Sequence, residues 1–263
     1  MKFQTTSYHF NLLKDEQRLA VFYEAILDYV KNQNKDNLVA FDVGCGSGVL
    51  SFFAQPFFKE IFSCEIDSKT FNCTKNNLKD FDNISLFNDD ATAISFNKKA
   101  DLIICEMLDT ALIDEEQVPV LENVKKYLKD TGEIIPQGIF NLAQLVNMER
   151  EYFHYDDVGE NINYEPLSNE ILYSKINFLE DINPKFEGTL DFKIRNDGEV
   201  NGVKITTVTK LNENIVCGPT PMLNPPLLIP LDNLNVKRND LIRLNLKYIM
   251  GNGIETIKTE YVR

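Results

Sequence analysis

Apolar residues recur along the first half of the chain in two rhythms, and these place the elements. Over residues 11–30, Leu12, Leu19, Phe22, Ile26 and Tyr29 return mostly every three or four positions, which predicts an amphipathic helix with Asn11 or Asp15 as its N-cap. A polar loop is expected over 31–37. Short apolar runs follow at Leu38-Val39-Ala40-Phe41, 61–65, 84–87 and 102–105, and they read as buried strands. Helices are expected between them, from Val49 to about Phe58 and over 68–80. Another is expected over 115–129, with Val118, Leu121, Val124, Tyr127 and Leu128 on one side and Thr131-Gly132 as its stop. A further strand is read from Glu133 through Pro136 to Val146. Such alternation implies parallel strands with helices on both faces.

Beyond about Met148 the rhythm shortens to two. Leu190-Asp191-Phe192-Lys193-Ile194 and Leu244-Asn245-Leu246-Lys247-Tyr248 alternate as half-buried antiparallel strands do, and Asn196-Asp197-Gly198 and Gly251-Asn252-Gly253 supply turns. The expected fold class is α/β, a Rossmann-like domain followed by a β-rich domain, a barrel or a sandwich, with the β-barrel-like form taken as the expectation. The divisions expected are an N-terminal helical segment over 1–37, the Rossmann-like domain over 38–147 and the barrel-like domain over 148–263.

Composition narrows the field. The chain has 263 residues, enough for one large domain or two small ones with ample core. No window is long and apolar enough for a membrane span, and the first residues lack the apolar stretch of a signal peptide. Five scattered cysteines without C-x-x-C spacing read as reduced thiols of a cytoplasmic protein. With only His9 and His154 available, no metal site is expected. The net charge of −13 tilts partners away from nucleic acid and toward a cationic or neutral substrate.

The segment carrying most chemistry is Asp42-Val43-Gly44-Cys45-Gly46-Ser47-Gly48. Its glycines turn a strand into a helix start, leaving the main chain open to a ligand. The spacing is G-x-G-x-G, whereas a pyrophosphate-binding fingerprint needs G-x-G-x-x-G. Asp42 at the strand end would repel a pyrophosphate but suits an ammonium or hydroxyl group. S-adenosylmethionine (SAM) fits, having no phosphate and a cationic amino-acid end. Glu65, 23 positions after Asp42 at the end of the next strand, can accept both ribose hydroxyls, with Asp67 as the lesser candidate. Asp90-Ala91 suits an adenine edge, with Asp89 competing for that place. In the run from Glu106 to Glu116, several acids flank an apolar loop. Crowded carboxylates raise one another's pKa unless a cation sits between them, and a guanidinium matches two of them. Asp114 and Glu116 fit equally well as acids at a helix start. No Asn/Asp-Pro-Pro-aromatic tetrapeptide and no Pro-Cys dipeptide, devices of base methylation, is present.

These residues resemble the protein arginine methyltransferase family of class I SAM-dependent enzymes, over most of the chain. Leu13-Lys14-Asp15-Glu16-Gln17-Arg18 is similar to the family's first-helix motif, which implies that Arg18 holds the SAM carboxylate. The glycine motif, with Gly44 and Gly46, and Glu65 fall in the SAM positions. Glu106 and Glu115, nine apart, occupy the places of the two glutamates that clamp the arginine substrate. Val236-Lys237-Arg238-Asn239-Asp240 looks like the end of the family's barrel. Around Gly218–Asn224 the family's Thr-His-Trp is missing, Met107-Leu108 replaces Trp-Met, and the short barrel half implies that the dimer arm is absent too. The resemblance implies a SAM-dependent methyltransferase acting on a cationic protein or peptide substrate, with no membrane partner. RNA or a small amine is the alternative substrate, and a non-catalytic SAM-binding assembly subunit is the alternative role. Physiological substrate, degree of methylation and oligomeric state are left open.

Overall fold

The computed structural model describes residues 2–31, 33, 37–149, 151–156 and 163–262. Much of the polar loop expected over 31–37 lies outside the described residues.

The five-stranded sheet of the first half holds β1 (Val39–Val43), β2 (Glu60–Cys64), β3 (Ile84–Phe87), β4 (Ala100–Cys105) and β5 (Leu128–Ile135) in the order β3-β2-β1-β4-β5. All neighbours are parallel. That order makes β1 and β4 central, and both are buried along nearly their whole length, as a sheet covered on both faces requires. The strand order reverses beside β1, so the crevice beyond the C-terminal ends of β1 and β4 is where such a sheet binds its ligand. Crossover helices are α3 (Val49–Ala54), α4 (Ser68–Leu78) and α5 (Gln117–Val124).

The single N-terminal helix expected over 11–30 is two helices, α1 (Ser7–Lys14) and α2 (Glu16–Lys31), broken at Asp15. Asp15 leaves the helical conformation and accepts the backbone N–H of Arg18 at 3.0 Å, the geometry of an N-cap. Its other oxygen accepts the N–H of Met222 at 3.0 Å and the hydroxyl of Thr220. The cap of α2 is thereby also its tie to the second half. Helix α2 buries Phe22, Ala25, Ile26, Tyr29 and Val30 on one stripe.

The long strand read through Pro136 is likewise two. Pro136 has no N–H for a ladder, and the chain leaves the parallel sheet there. It resumes as β6 (Gly138–Met148), which pairs antiparallel with β11 (Gly198–Lys210). The change of sheet thus falls at Pro136, before the boundary at 147/148 expected from the rhythm. The second half contains a larger sheet ordered β7 (His154–Tyr155), β13 (Leu227–Val236), β11, β6, β8 (Tyr164–Pro166), with β9 (Ile171–Asn177) on β6 and β12 (Val216–Cys217) on β11. A smaller sheet joins β10 (Lys185–Lys193), β14 (Leu241–Ile249) and β15 (Lys258–Tyr261). One apolar core runs through both halves, from Phe22, Phe41 and Ile104 to Leu145, Phe192 and Leu246. Among the described residues no helix is long and apolar enough to cross a membrane.

Asp42 departs from its expected place. Expected as a cofactor ligand, it does not line the crevice, and its carboxylate instead accepts the hydroxyl of Ser51 at 2.5 Å, which lies 2.7 Å from Ser63. Only 1 % of Asp42 is exposed, because the apolar strand on which it lies is sandwiched between layers. The acid therefore locks β1, β2 and α3 together beneath the glycine turn. Burial pushes it from 3.8 up to about 6 against the pull of Ser51, with the charges of Glu106 and Glu65 adding to the rise. A carboxyl raised in this way contributes most to stability below its unfolded value and loses that contribution as pH rises through about 6. From pH 3 to pH 7, wild type should lose about 3 kcal/mol relative to Asp42→Asn, the equivalent of roughly two pKa units. Urea unfolding of both proteins across that range measures the difference.

Candidate active site

At the C-terminal ends of β1 and β4 lies a cavity of about 250 Å³. Its floor is the glycine turn, with Gly44 at φ 71° and Gly46 at φ 55°, a left-handed backbone that disfavours side chains. A Cβ on Gly44 would lie 2.7 Å from Met107 Sδ, and one on Gly46 would lie 2.8 Å from the His9 ring. The glycines thus let α1 and the loop after β4 close directly on the main chain.

Glu65 follows β2 at the cavity edge, 8 % exposed. It accepts the N–H of Gly46 at 3.0 Å and of Asp67 at 2.8 Å. Burial raises its pKa and these amides oppose the rise. Its orientation is therefore fixed before any ligand arrives. Asp67 instead caps α4, accepting from Thr70 N–H at 2.8 Å. Asp90, beyond β3, lines the cavity and accepts the Thr92 N–H at 2.8 Å and its hydroxyl at 2.7 Å. Asp89 lines it as well.

Arg18 comes in from the first turn of α2 and is 4 % exposed. One terminal nitrogen donates to Glu106. Nε and the other terminal nitrogen are buried without a protein partner. A buried guanidinium with unpartnered N–H groups costs free energy unless an anion completes it, and both residues line the cavity. Glu106 is raised by burial, with Arg18 pulling it down and Asp15 pushing it up. Glu115 lies across the same cavity and is raised by burial first, then by the charges of Glu106, Asp114 and Glu116. Tyr8 of α1 joins them. Its residue surface is 59 % exposed, yet partial burial and the charges of Glu115 and Glu106 push its phenol up to about 12.

The structure thus brings Arg18, Gly44, Gly46, Glu65, Asp90, Glu106 and Glu115 to one cavity and keeps Asp42 behind it. It also shows residues that the sequence reading passed over. Gln117, wholly buried, accepts the Met107 N–H at 3.0 Å and donates to the Cys105 carbonyl at 2.9 Å, pinning the strand end that carries Glu106. Ala111 and Leu112, at φ 61° and 59°, are non-glycine residues in the left-handed region. They are held there by barrel groups, since Ala111 N–H donates to Thr207 at 2.8 Å and the Leu112 carbonyl accepts from Gly251 N–H at 2.8 Å. Such strain persists only where the surroundings over-determine it. No local sequence signal marks these contacts.

The donor set fits SAM. The unpartnered guanidinium N–H groups suit its carboxylate, Glu65 and Asp90 suit hydroxyl and amine donors, and the negative charge that Glu106 and Glu115 bring to the same cavity suits a sulfonium cation. Residues 40–132 match the model of a methyltransferase domain. The chain is 40 % identical over 262 residues to an uncharacterized protein of Methanothermobacter thermautotrophicus, covering all of both. It is 29 % identical to the ribosomal protein L11 methyltransferase of Thermoanaerobacter pseudethanolicus over 51 % of this chain and 43 % of that one. With protein arginine N-methyltransferase 2 of Dictyostelium discoideum it shares 26 % over 66 % of this chain and 35 % of the other. In fold it superposes on Trypanosoma brucei PRMT1, solved as an enzyme–prozyme heterotetrameric complex with AdoHcy, with a TM-score of 0.78, 15 % identity and coverage of 97 % and 96 %. The chain belongs to one family with the Methanothermobacter protein, within the class I SAM-dependent methyltransferases, and is such an enzyme with SAM as its cofactor.

Proposed function

We propose that the enzyme methylates a nitrogen of a cationic side chain, an arginine guanidinium of a protein or peptide. The observation carrying this reading is the pair Glu106 and Glu115 in one cavity, each with its pKa raised and each within the other's field or that of Arg18. Two such carboxylates are costly alone and are stabilised by a planar cation between them. SAM supplies a methyl group on a sulfonium centre. Arg18 would hold its carboxylate, Glu65 its ribose and Asp90 its adenine edge. Glu106 and Glu115 would hold the guanidinium, draw its positive charge toward the nitrogens they bind and leave a third nitrogen with its lone pair available. Positioning and carboxylate electrostatics would supply most of the acceleration. Their raised pKa also makes them better acceptors than ordinary carboxylates for the proton that N-methylation releases.

The relatives named as acting on arginine or on a ribosomal protein support a protein acceptor. A different basic side chain is the second reading, favoured by the lack of Thr-His-Trp in 218–224, the segment from which Met222 lines the cavity. Labelled SAM incubated with lysate from cells lacking the protein should give label that protease removes and nuclease leaves. Hydrolysis of that material should yield methylated arginine. Label lost to nuclease would overturn the protein reading, and methylated lysine would move it to the second. Glu106→Gln should keep SAM affinity within a few-fold yet lose on the order of a hundredfold or more in turnover, measured by calorimetry and single-turnover transfer. Arg18→Ala should weaken S-adenosylhomocysteine binding by about tenfold or more, the worth of a charge-assisted hydrogen bond.

A further inference from the structure

Asp109 sits in the loop between β4 and α5, 8 % exposed and behind the cavity wall. Its carboxylate accepts three backbone N–H groups in succession, those of Ile113 and Asp114 at 3.0 Å and of Glu115 at 3.2 Å. The third belongs to the residue whose side chain lines the cavity. From the barrel, the Tyr155 hydroxyl of β7 lies 3.1 Å from Asp109 and 2.6 Å from Asp114. Asp114 in turn accepts the Ile254 N–H at 3.1 Å, and the neighbouring Ile113 carbonyl accepts Gly253 N–H at 2.9 Å. Both barrel sheets thus reach this loop, and Asp109 is the group on which the contacts converge.

We propose that Asp109 is a positioning residue for Glu115, its carboxylate fixing the backbone from which Glu115 meets a cation and Tyr155 fixing Asp109 from the barrel side. This rests on the reading of Glu106 and Glu115 as a cation-holding pair. The oxygen of Asp109 that takes the Ile113 and Asp114 N–H groups also faces Tyr155. A proton on that oxygen would compete with its three donors, and a proton on the other oxygen would compete with the Glu115 N–H, so protonation at either weakens the clasp. The clasp is therefore strongest with Asp109 ionised. Burial raises Asp109 to about 7 against the pull of the Asp114 and Glu115 amides. The charge of Asp114 adds to the rise and Tyr155 opposes it, while Tyr248 of β14 and Tyr8 of α1 feel the Asp109 charge. Ionisation accordingly spans neutral pH, with the clasp strongest above about 7 and weaker below.

The test compares two probes that need no identified acceptor. Sinefungin carries an ammonium where SAM carries its methyl group, and S-adenosylhomocysteine carries nothing there. The ratio of their affinities, measured by calorimetry from pH 5.5 to 8.5, reports the field of the acid pair. Wild type should prefer sinefungin above pH 7 and lose part of that preference as pH falls through about 7. Asp109→Asn should bind S-adenosylhomocysteine as wild type does, show a preference about tenfold lower at pH 8 and show no step near 7, as loss of charged hydrogen bonds implies. Tyr155→Phe should change the ratio in the same direction by less. Titration of Glu106 and Glu115 is common to the proteins, so the missing step belongs to Asp109. An Asp109→Asn protein with the wild-type ratio and step would overturn the inference while leaving the acid-pair reading intact. A wild type with no preference for sinefungin would overturn the acid-pair reading and this inference with it. Should Asp109→Asn lose S-adenosylhomocysteine binding as well, an unchanged ratio in Tyr155→Phe would overturn the inference.

Discussion

The constraint on which the structure turns is the housing of several carboxylates around one small cavity. Burial raises Glu65, Glu106, Asp109 and Glu115, and a neighbouring carboxylate adds to the rise in each. Backbone amides offset part of that cost. Gly46 and Asp67 donate to Glu65, Thr92 to Asp90, Arg18 and Met222 to Asp15, and three successive residues to Asp109. Fixed dipoles of this kind need not reorganise when charge moves nearby. Glu106 receives a guanidinium in addition. Glu115 is acted on chiefly by burial and by like charges, which makes it the acid with most to gain from an arriving cation.

The strained part of the loop after β4 is held from the barrel. Ala111 and Leu112 are in a backbone region that costs about 1–2 kcal/mol for a residue with a Cβ, and the groups that hold them belong to the barrel. Thr207 does so from the middle of β11, where it also lies 2.7 Å from Asn141 of β6. A hydroxyl with two buried partners is a strong anchor, since losing it would strand a buried donor. The barrel is thus a structural wall of the site as well as a neighbouring domain. Asp15 makes the same connection from the other side, through Thr220 and Met222, so the cavity is braced against the barrel at both rims.

What the sequence made legible was whatever depends on near neighbours. The glycine turn announces itself because left-handed backbone and close approach both demand glycine, and Gly44, Gly46 and Gly48 show both. Strand ends and the acids on them follow from apolar runs, so Glu65, Asp90 and Glu106 could be placed before any fold was known. The parallel sheet and the antiparallel strands of the second half followed from rhythm. Errors came where one side chain overrules periodicity. Asp15 stops a helix whose apolar stripe continues on either side, and Pro136 divides a run that is apolar throughout.

Asp42 and Asp109 show the deeper limit. Both are acids in the run of a strand or just past one, and from sequence both are equally plausible as ligands or as supports. Which they are depends on what faces them across the fold. Ser51 and Ser63 turn Asp42 inward, and Tyr155, 46 positions away, joins three amides in turning Asp109 away from the cavity. Pairing of that kind is set by packing of distant elements and leaves no trace in local spacing. A carboxylate held by amides and hydroxyls is already satisfied, whereas one held by burial and like charge is not. That distinction, visible only in the folded chain, sets Asp42 and Asp109, turned to partners across the fold, apart from Glu115, which is raised by burial and by like charges.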